Sequence, residues 1–296
     1  MSETGFVIPA APQFDFERTV LSHGWRMLPP FSWESSSGTL TYVIQSAAGA
    51  VLRLRMRAVE GGAQVNSPDC PAPAPQEADE MQRAVKTMLN VDWDLRQFYA
   101  AMRAHEDYKW LEAERRGRIL IAPSLWEDLA KVLLTTNCSW AQTVNMCRQL
   151  VKLGAPHPTV AGCYAFPSAE RIASLDFNEF AAKVRAGYRS AYLYELARKV
   201  AAGEVDLEAW LALEADDFYR AVKSLKGFGD YAAGTVARMV GHFDKIAIDT
   251  AAHAMFAERH NGGVKGSAAE IKARYERFGR WRGLVLWMDI MRHYES

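Results

Sequence analysis

A proline-rich segment divides this chain into two parts with different periodicity. Residues 67–75 include Pro68, Pro71, Pro73 and Pro75, and proline at this density excludes a helix or a central strand because its ring removes the amide donor. Apolar residues over residues 38–66, before the segment, recur with a period of two, whereas those after it follow the period of an α-helix almost to the end. The sequence therefore predicts a mainly α protein with an α+β N-terminal part: a small antiparallel β domain over residues 1–75 and an all-α domain over residues 76–296.

The β-rich part contains a predicted hairpin. From Leu52 to Arg57 apolar residues alternate with arginine, which places the two kinds of residue on opposite faces of a strand. Residues 39–44 form the predicted partner strand across a turn at residues 47–49, and a third short strand is expected near residues 63–65. The three arginines could face phosphates, but a solvated outer face is the commoner arrangement and is the interpretation we adopt.

The charge and cysteine content limit the classes of protein to which this chain can belong. The chain has 35 Lys and Arg against 35 Asp and Glu, so its net charge gives no support to a polyanionic partner, and any nucleic-acid surface must be local. Its four cysteines form no Cys-x-x-Cys pair, which disfavours a zinc knuckle or a disulfide framework. No apolar run of about 18 residues occurs, and residues 1–14 lack the pattern of a signal peptide. We therefore expect a soluble, unprocessed cytoplasmic protein.

The stretch from Leu225 to Ala233 predicts two helices joined by a tight hairpin, together spanning about residues 218–240. Gly227 and Gly229 form its Gly-x-Gly turn, and small residues begin the following helix. Glycine permits positive φ and close approach of another backbone, while the amides in the first turn of the next helix form an anion site. Such a hairpin can hold DNA phosphate without reading sequence. Nucleotide-binding loops also use Gly-x-Gly, but no strand pattern precedes this one, which counts against a dinucleotide fold.

A second motif follows the hairpin. The run Ile246-Ala247-Ile248-Asp249 is a short extended apolar segment whose aspartate lies at the predicted start of a helix. Together with the hairpin it resembles the motif of the helix-hairpin-helix DNA glycosylase superfamily, which includes alkylpurine, 8-oxoguanine and adenine-mismatch glycosylases and endonuclease III. The resemblance covers about residues 91–296, and the β-rich segment before them is similar to the extra domain of the alkylpurine and 8-oxoguanine enzymes. It implies an all-α glycosylase domain in which Asp249 is catalytic, although by position alone Asp249 could be only a helix cap.

A carboxylate suits the cleavage of an N-glycosidic bond. Breaking the bond between base and sugar creates oxocarbenium character on the sugar, and a preorganised anion beside it stabilises that charge. Asp249 is therefore expected to act in its ionised form, with water as the nucleophile.

Two further stretches resemble DNA-distorting elements of the superfamily. Asn137 follows the predicted helix that begins with a capping box at Ser124, in the position where relatives carry a residue that fills the gap left by the extruded base. Residues 187–189 resemble a loop of 8-oxoguanine glycosylases, which implies that Tyr188 wedges into the base stack and Arg189 contacts the opposite strand. A polar filler and an aromatic wedge offset the unstacking that base flipping requires. A helix cap and a packed core tyrosine are the ordinary alternatives.

Aromatic side chains are candidates for a pocket that stacks on the flipped base. Aromatic residues at helical spacing are more often part of a core, so only about two of them are expected to touch the base. The candidates are Tyr231, Trp140, Trp281 and Trp287.

Departures from the family pattern restrict the branch. Bifunctional members carry a lysine nucleophile where this chain has Tyr231, and no cysteine follows Cys163 to hold the iron–sulfur cluster of endonuclease III. Lys226 stands where proline is usual in the hairpin and could add a phosphate contact. The resemblance therefore implies an enzyme without an organic cofactor or iron–sulfur cluster, with a monovalent cation expected at the hairpin.

The function predicted from the sequence is that of a monofunctional DNA glycosylase in base excision repair. It is expected to act as a monomer on double-stranded DNA that contains damaged bases. An alkylated purine of the 3-methyladenine type is the first substrate class, and an oxidised purine of the 8-oxoguanine type is the second. A non-catalytic helix-hairpin-helix DNA-binding protein is a third interpretation, but binding alone needs no carboxylate such as Asp249 facing polyanionic DNA.

Overall fold

The computed structural model describes residues 5–70 and 73–295, so Pro71 of the proline segment lies outside the described residues. The described chain is mainly α-helical with one antiparallel sheet, which confirms the predicted fold class. The strands are β1 (Gly5–Pro9), β2 (Ser32–Glu34), β3 (Thr39–Gln45), β4 (Val51–Val59) and β5 (Gly62–Asn66).

Helices occupy most of the remaining chain. They are α1 (Phe16–Leu21), α2 (Pro75–Leu89), α3 (Arg96–Met102), α4 (Trp110–Ala113), α5 (Leu125–Thr135), α6 (Trp140–Val151), α7 (Ala169–Ala173), α8 (Phe177–Val184), α9 (Tyr188–Ala201), α10 (Leu207–Trp210), α11 (Ala215–Lys223), α12 (Asp230–Met239), α13 (Thr250–His260), α14 (Ala268–Glu276) and α15 (Arg282–Glu295). Short 3-10 turns lie at Gly24–Met27, Glu106–Tyr108 and Gly279–Trp281.

The sheet has the strand order β1-β5-β4-β3-β2. The predicted hairpin is β3–β4, in which Tyr42 lies opposite Leu54, and the third predicted strand is β5. The apolar residues of β4 from Leu52 to Met56 are buried, as the alternation predicts. Arg53 on the other face binds the Asp69 carboxylate through Nε and a terminal nitrogen at 2.8 and 2.7 Å. This pairing favours a structural role for Arg53 over a phosphate contact.

Internal contacts divide the chain into two compact units. The first combines the described parts of Met1–Trp93 and Arg118–Leu207, and the second combines those of Asp94–Gly117 and Glu208–Ser296. The first unit thus holds the whole sheet together with helices such as α2 and α5, and the second holds α11 to α15. The boundary predicted at residue 75 concerns independently folding domains, which these contacts do not test, and it stays a prediction.

Helix α5 lies in the core of the first unit and carries buried charges. Residues 125–134 are all buried, and Ser124 caps the helix by accepting a hydrogen bond from the amide of Glu127 at 3.3 Å. The predicted capping box is only half formed, because the Glu127 carboxylate does not return to the cap. It forms an ion pair with Lys131 at 2.6 Å and accepts a hydrogen bond from the Tyr42 hydroxyl at 2.7 Å. The buried pair thereby ties α5 to the sheet.

A second buried carboxylate on α5 is neutralised in a different way. Asp128 accepts hydrogen bonds at Oδ1 from the Trp25 indole at 2.6 Å and from the amide of Ala122 at 3.0 Å. Burial raises the pKa of Asp128 to about 8, although these hydrogen bonds oppose the shift. The two contacts fix the start of α5, whose other end leads into Asn137.

Among residues 5–70 and 73–295, no helix is both long and apolar enough to span a bilayer.

Candidate active site

The predicted helical hairpin of the second unit is present as α11 and α12. Gly227 has a φ of +88°, a value that side chains with a Cβ rarely adopt, so glycine is required there by the turn itself. Phe228 is buried and anchors the turn, and its amide donates to the Leu225 carbonyl at 3.1 Å. Lys226 is exposed at the tip of the hairpin.

Gly229 differs from Gly227 because the fold does not require it. It is the N-cap of α12 with ordinary extended backbone, and a Cβ built on it would meet no atom within 4 Å. The open space in front of the α12 N-terminus can therefore admit an anion to the first-turn amides. Asp230 borders this space, but Lys223 neutralises its carboxylate at 2.5 Å, and the Tyr219 hydroxyl also donates to it at 2.8 Å.

Asp249 occupies the N-cap of α13. Its Oδ1 accepts a hydrogen bond from the amide of Ala252 at 2.8 Å, and its carbonyl accepts one from the amide of His253 at 3.1 Å. The residue is therefore a helix cap as well as a candidate catalyst. In the described part of the chain its Oδ2 has no hydrogen-bond partner, and the side chain is half-buried. One oxygen thus fixes the carboxylate while the other remains available to a reacting group.

Two groups near Asp249 were not identified from the sequence. Burial lowers the pKa of the Arg238 guanidinium to about 10, and the neighbouring Tyr231 and Asp249 oppose this change. Burial and the nearby charge of Asp249 raise the pKa of Tyr294, which lies near the end of α15. An arginine within the small and apolar run of residues 232–240 was the signal that could have identified Arg238.

The predicted pocket aromatics of the second unit have different surroundings. Trp287 is half-buried, and the Arg238 guanidinium carbon lies 4.4 Å from its ring centroid. Trp281 is 9% exposed and packs in the core, with the ring centroids of Phe98 and Phe243 at 5.3 and 5.5 Å. The packing of Trp281 gives no support to a pocket role, which stays a prediction.

The candidate Tyr231 and the histidine that follows Asp249 by one turn lie near these elements. Tyr231 is half-buried on the first turn of α12 and belongs to the surroundings of Arg238. His253 lies one turn beyond Asp249, and its Nδ1 hydrogen-bonds the Gly266 carbonyl at 2.9 Å. This bond holds the imidazole against the backbone at Gly266.

Asn137 and Tyr188 are brought together in the first unit, 51 residues apart in sequence. Asn137 follows α5 with a φ of +49°, and its Nδ2 donates to the Tyr188 hydroxyl at 3.2 Å. Tyr188 is the first residue of α9 and is 48% exposed, and the ring of Tyr192 packs against it edge-on at 5.5 Å. The two predicted DNA-distorting residues therefore form one exposed group, here called the Asn137–Tyr188 pair.

Arg189 contacts both members of the Asn137–Tyr188 pair. The residue is buried, and its guanidinium donates to the carbonyls of Thr136 and Asn137 at 2.9 and 3.0 Å. The same guanidinium lies 4.6 Å from the centroid of the Tyr188 ring. In this structure the guanidinium therefore holds the turn at Asn137. The strand contact predicted for Arg189 gains no support from this position and stays a prediction.

Trp140 is the first residue of α6 in the first unit. It is 39% exposed, and its ring lies so close to Gly24 that a Cβ at that glycine would be 2.5 Å from ring carbon Cη2. Gly24 thus makes room for the indole. The pocket role of Trp140 stays a prediction.

No cluster of three or more His, Cys, Asp or Glu residues that could hold a metal ion occurs among the described residues. The monovalent cation predicted at the hairpin would need other ligands, and it stays a prediction.

Comparisons with known proteins address the fold. The sequence matches no family model and no curated protein. A structure of MBOgg1 in complex with a low-affinity DNA ligand is similar with a TM-score of 0.77 at 18% identity, over 100% of this chain and 98% of that chain. A 3-methyladenine DNA glycosylase from Archaeoglobus fulgidus gives a TM-score of 0.76 at 20% identity, over 98% of this chain and 99% of that chain. An apo 8-oxoguanine glycosylase/lyase from Clostridium acetobutylicum gives 0.73 at 14% identity, over 98% of each chain. The chain therefore shares its fold with 3-methyladenine and 8-oxoguanine DNA glycosylases, as its hairpin and Asp249 motif predict.

Proposed function

We propose that this protein is a monofunctional DNA glycosylase that hydrolyses the N-glycosidic bond of a flipped, damaged purine. The position of Asp249 carries the proposal. Its carboxylate is held by the amide of Ala252 at 2.8 Å, and it follows the α11–α12 hairpin in a fold shared with glycosylases. A phosphate-binding hairpin and a fixed carboxylate are the two parts that this reaction needs.

In the proposed reaction the bond between C1′ and the base nitrogen breaks heterolytically. The electron pair departs with the base, and the Asp249 carboxylate stabilises the positive charge on the sugar. Water adds to C1′ and loses a proton to the carboxylate or to solvent, which leaves an abasic sugar and the free base. The Asn137–Tyr188 pair would fill and wedge the space from which the base has left.

The monofunctional assignment is supported by Lys245 and Tyr231. A Schiff-base mechanism needs a neutral amine. Burial lowers the pKa of Lys245, but hydrogen bonds to Asp216 and Asp244 outweigh this effect and raise it overall. Tyr231, at the position of the family's lysine nucleophile, cannot form a Schiff base.

Two substrate classes follow from the resemblance. Tyr231 in place of lysine is similar to the alkylpurine branch, and the loop of Tyr188 is similar to the 8-oxoguanine branch. The reaction at C1′ is the same for both. A protein that binds damaged DNA without releasing a base is the remaining alternative.

The test is single-turnover base release from a panel of duplexes that each contain one defined lesion. Asp249→Asn should keep the helix cap but lose transition-state stabilisation, so release should fall by about a thousandfold or more. Duplex binding should be unchanged or tighter because one negative charge near phosphate is removed. Asp176→Asn is a matched control, since Asp176 caps α8 through the amides of Asn178 and Glu179 in the first unit.

The reaction product provides a separate check. The wild-type protein should leave the DNA backbone intact until alkali or heat is applied, and borohydride should trap no covalent complex. Near-wild-type release by Asp249→Asn would overturn the catalytic assignment, and efficient borohydride trapping would overturn the monofunctional one.

A further inference from the structure

Arg238 is a buried cation without a counter-charge in hydrogen-bonding contact. It is 2% exposed on α12, within a run of small and apolar residues. Among the described residues its Nε has no hydrogen-bond partner and its guanidinium forms no ion pair. The guanidinium carbon instead lies 4.4 Å from the ring centroid of Trp287. The titratable groups that interact with its charge are Tyr231 and Asp249.

Two other buried basic side chains among the described residues are ion-paired within the fold. Lys131 is paired with Glu127 at 2.6 Å, and Arg116 is paired with Glu114 at 3.2 Å and with Glu295. A buried charge is costly unless it is paired and hydrogen-bonded. Because the fold leaves the hydrogen-bonding capacity of Arg238 unused beside the candidate catalytic carboxylate, a ligand at this site is the natural acceptor.

The chemistry of a guanidinium limits what that ligand can be. Its planar fork matches the O6 and N7 acceptors of a deaminated purine such as hypoxanthine. In 8-oxoguanine N7 carries a hydrogen, so the guanidinium can donate only to a carbonyl oxygen of that base. A guanidinium also repels a positive charge strongly where water is excluded. A purine with a fixed positive charge, such as one methylated at N7, is best recognised by a free aromatic face. Arg238 itself already lies against the ring of Trp287. Both observations favour a neutral, carbonyl-bearing base over a cationic one.

We propose that Arg238 contacts the flipped base and determines specificity. It selects a neutral purine with a carbonyl oxygen, either deaminated or oxidised, over a purine with a fixed positive charge. The proposal rests on the glycosylase function proposed above. When the C1′–N bond breaks, a neutral base takes the electron pair and departs as an anion, which is then protonated by solvent. The guanidinium would stabilise that negative charge. A cationic base departs neutral and would gain nothing from Arg238.

The test compares Arg238→Met with wild type on duplexes that contain hypoxanthine, 8-oxoguanine or 7-methylguanine. Methionine is unbranched and apolar, so it removes the charge and the donors, together with the volume of the guanidinium. Release of the better neutral base should fall by about tenfold or more in this variant, as for the loss of one transition-state hydrogen-bond donor. Release of 7-methylguanine should be unchanged or faster. Arg238→Lys keeps the charge but not the fork, so it should still discriminate against 7-methylguanine while it loses rate on the neutral base.

A binding measurement separates this proposal from the glycosylase function. The ratio of affinities for hypoxanthine and 7-methylguanine duplexes is measured in the Asp249→Asn background, with and without Arg238→Met. A protein that discriminates through Arg238 but releases no base from any duplex would reject the glycosylase function and retain the role of Arg238. An affinity ratio and a release ratio that Arg238→Met leaves unchanged would overturn the role of Arg238, and so would equal loss on neutral and cationic bases.

Discussion

Asp128 should make the stability of this protein fall as the pH rises. Its pKa is about 8 in the folded chain, compared with 3.8 for an unperturbed aspartate. Between these values the folded state binds more protons than the unfolded state, so the free energy of unfolding decreases with increasing pH. The slope from one such group is about 1.4 kcal/mol per pH unit. Across the three units from pH 5 to pH 8, the contribution of Asp128 should therefore fall by about 4 kcal/mol.

Asp128→Asn isolates this contribution. Asparagine can still accept the hydrogen bonds from Trp25 and Ala122, but it does not ionise. The free energy of unfolding is measured by urea denaturation at each pH, and the difference between wild type and variant is plotted against pH. Asp94→Asn is the control: Arg96 lowers the pKa of Asp94 to about 2, so it is ionised throughout this range and its difference should be flat. A flat difference for Asp128→Asn as well would refute the reasoning.

Two further predictions concern the proposed contacts with DNA. Gly229→Ala should fold normally because a Cβ meets no atom there, but it should weaken binding to every duplex alike and make the salt dependence of binding shallower. Gly227→Ala should instead lose stability because of the φ of +88° at that position. A lesion-specific binding defect in Gly229→Ala would count against a phosphate contact. Asn137→Ala and Tyr188→Ala should slow excision from well-paired duplex more than from mismatched duplex. Arg189→Lys should show the same pattern, with excision from well-paired duplex slowed about tenfold, because lysine cannot bind the carbonyls of Thr136 and Asn137 together. Equal slowing on all substrates would show that these residues do not act in base flipping.

The strands show which parts of the sheet could be predicted from the sequence. Strands β3, β4 and β5 were predicted because each has local alternation, and a turn joins β3 to β4. Strand β1 is not predicted because its partner among the described strands is β5, 59 residues further along the chain in the pair of Phe6 with Val65, so no nearby turn indicates it. Strand β2 was missed because three residues are too few to show a period. Long-range pairing and short length are thus the physical reasons for both omissions.

The candidate site also contains parts that could be predicted from the sequence and parts that could not. Asp249 and the hairpin could be predicted because each is a local motif with a defined spacing. The contact of Asn137 with Tyr188 depends on the fold, because Asn137 follows the end of α5 and Tyr188 begins α9. The position of Arg189 could not be predicted, because its sequence neighbours do not reveal that its guanidinium binds the carbonyls of Thr136 and Asn137.

Removal of a buried cation should have opposite effects on stability at two positions. Lys131 is fully buried and ion-paired with Glu127, so Lys131→Met should leave that carboxylate buried without its partner and destabilise the protein by about 3–5 kcal/mol. Arg238 has no paired carboxylate among the described residues, so Arg238→Met leaves no buried charge without its partner and should be neutral or stabilising. Urea denaturation of both variants at one pH measures the contrast. A residue whose removal stabilises the fold but impairs discrimination between bases is retained for function, whereas strong destabilisation by Arg238→Met would assign it to the core.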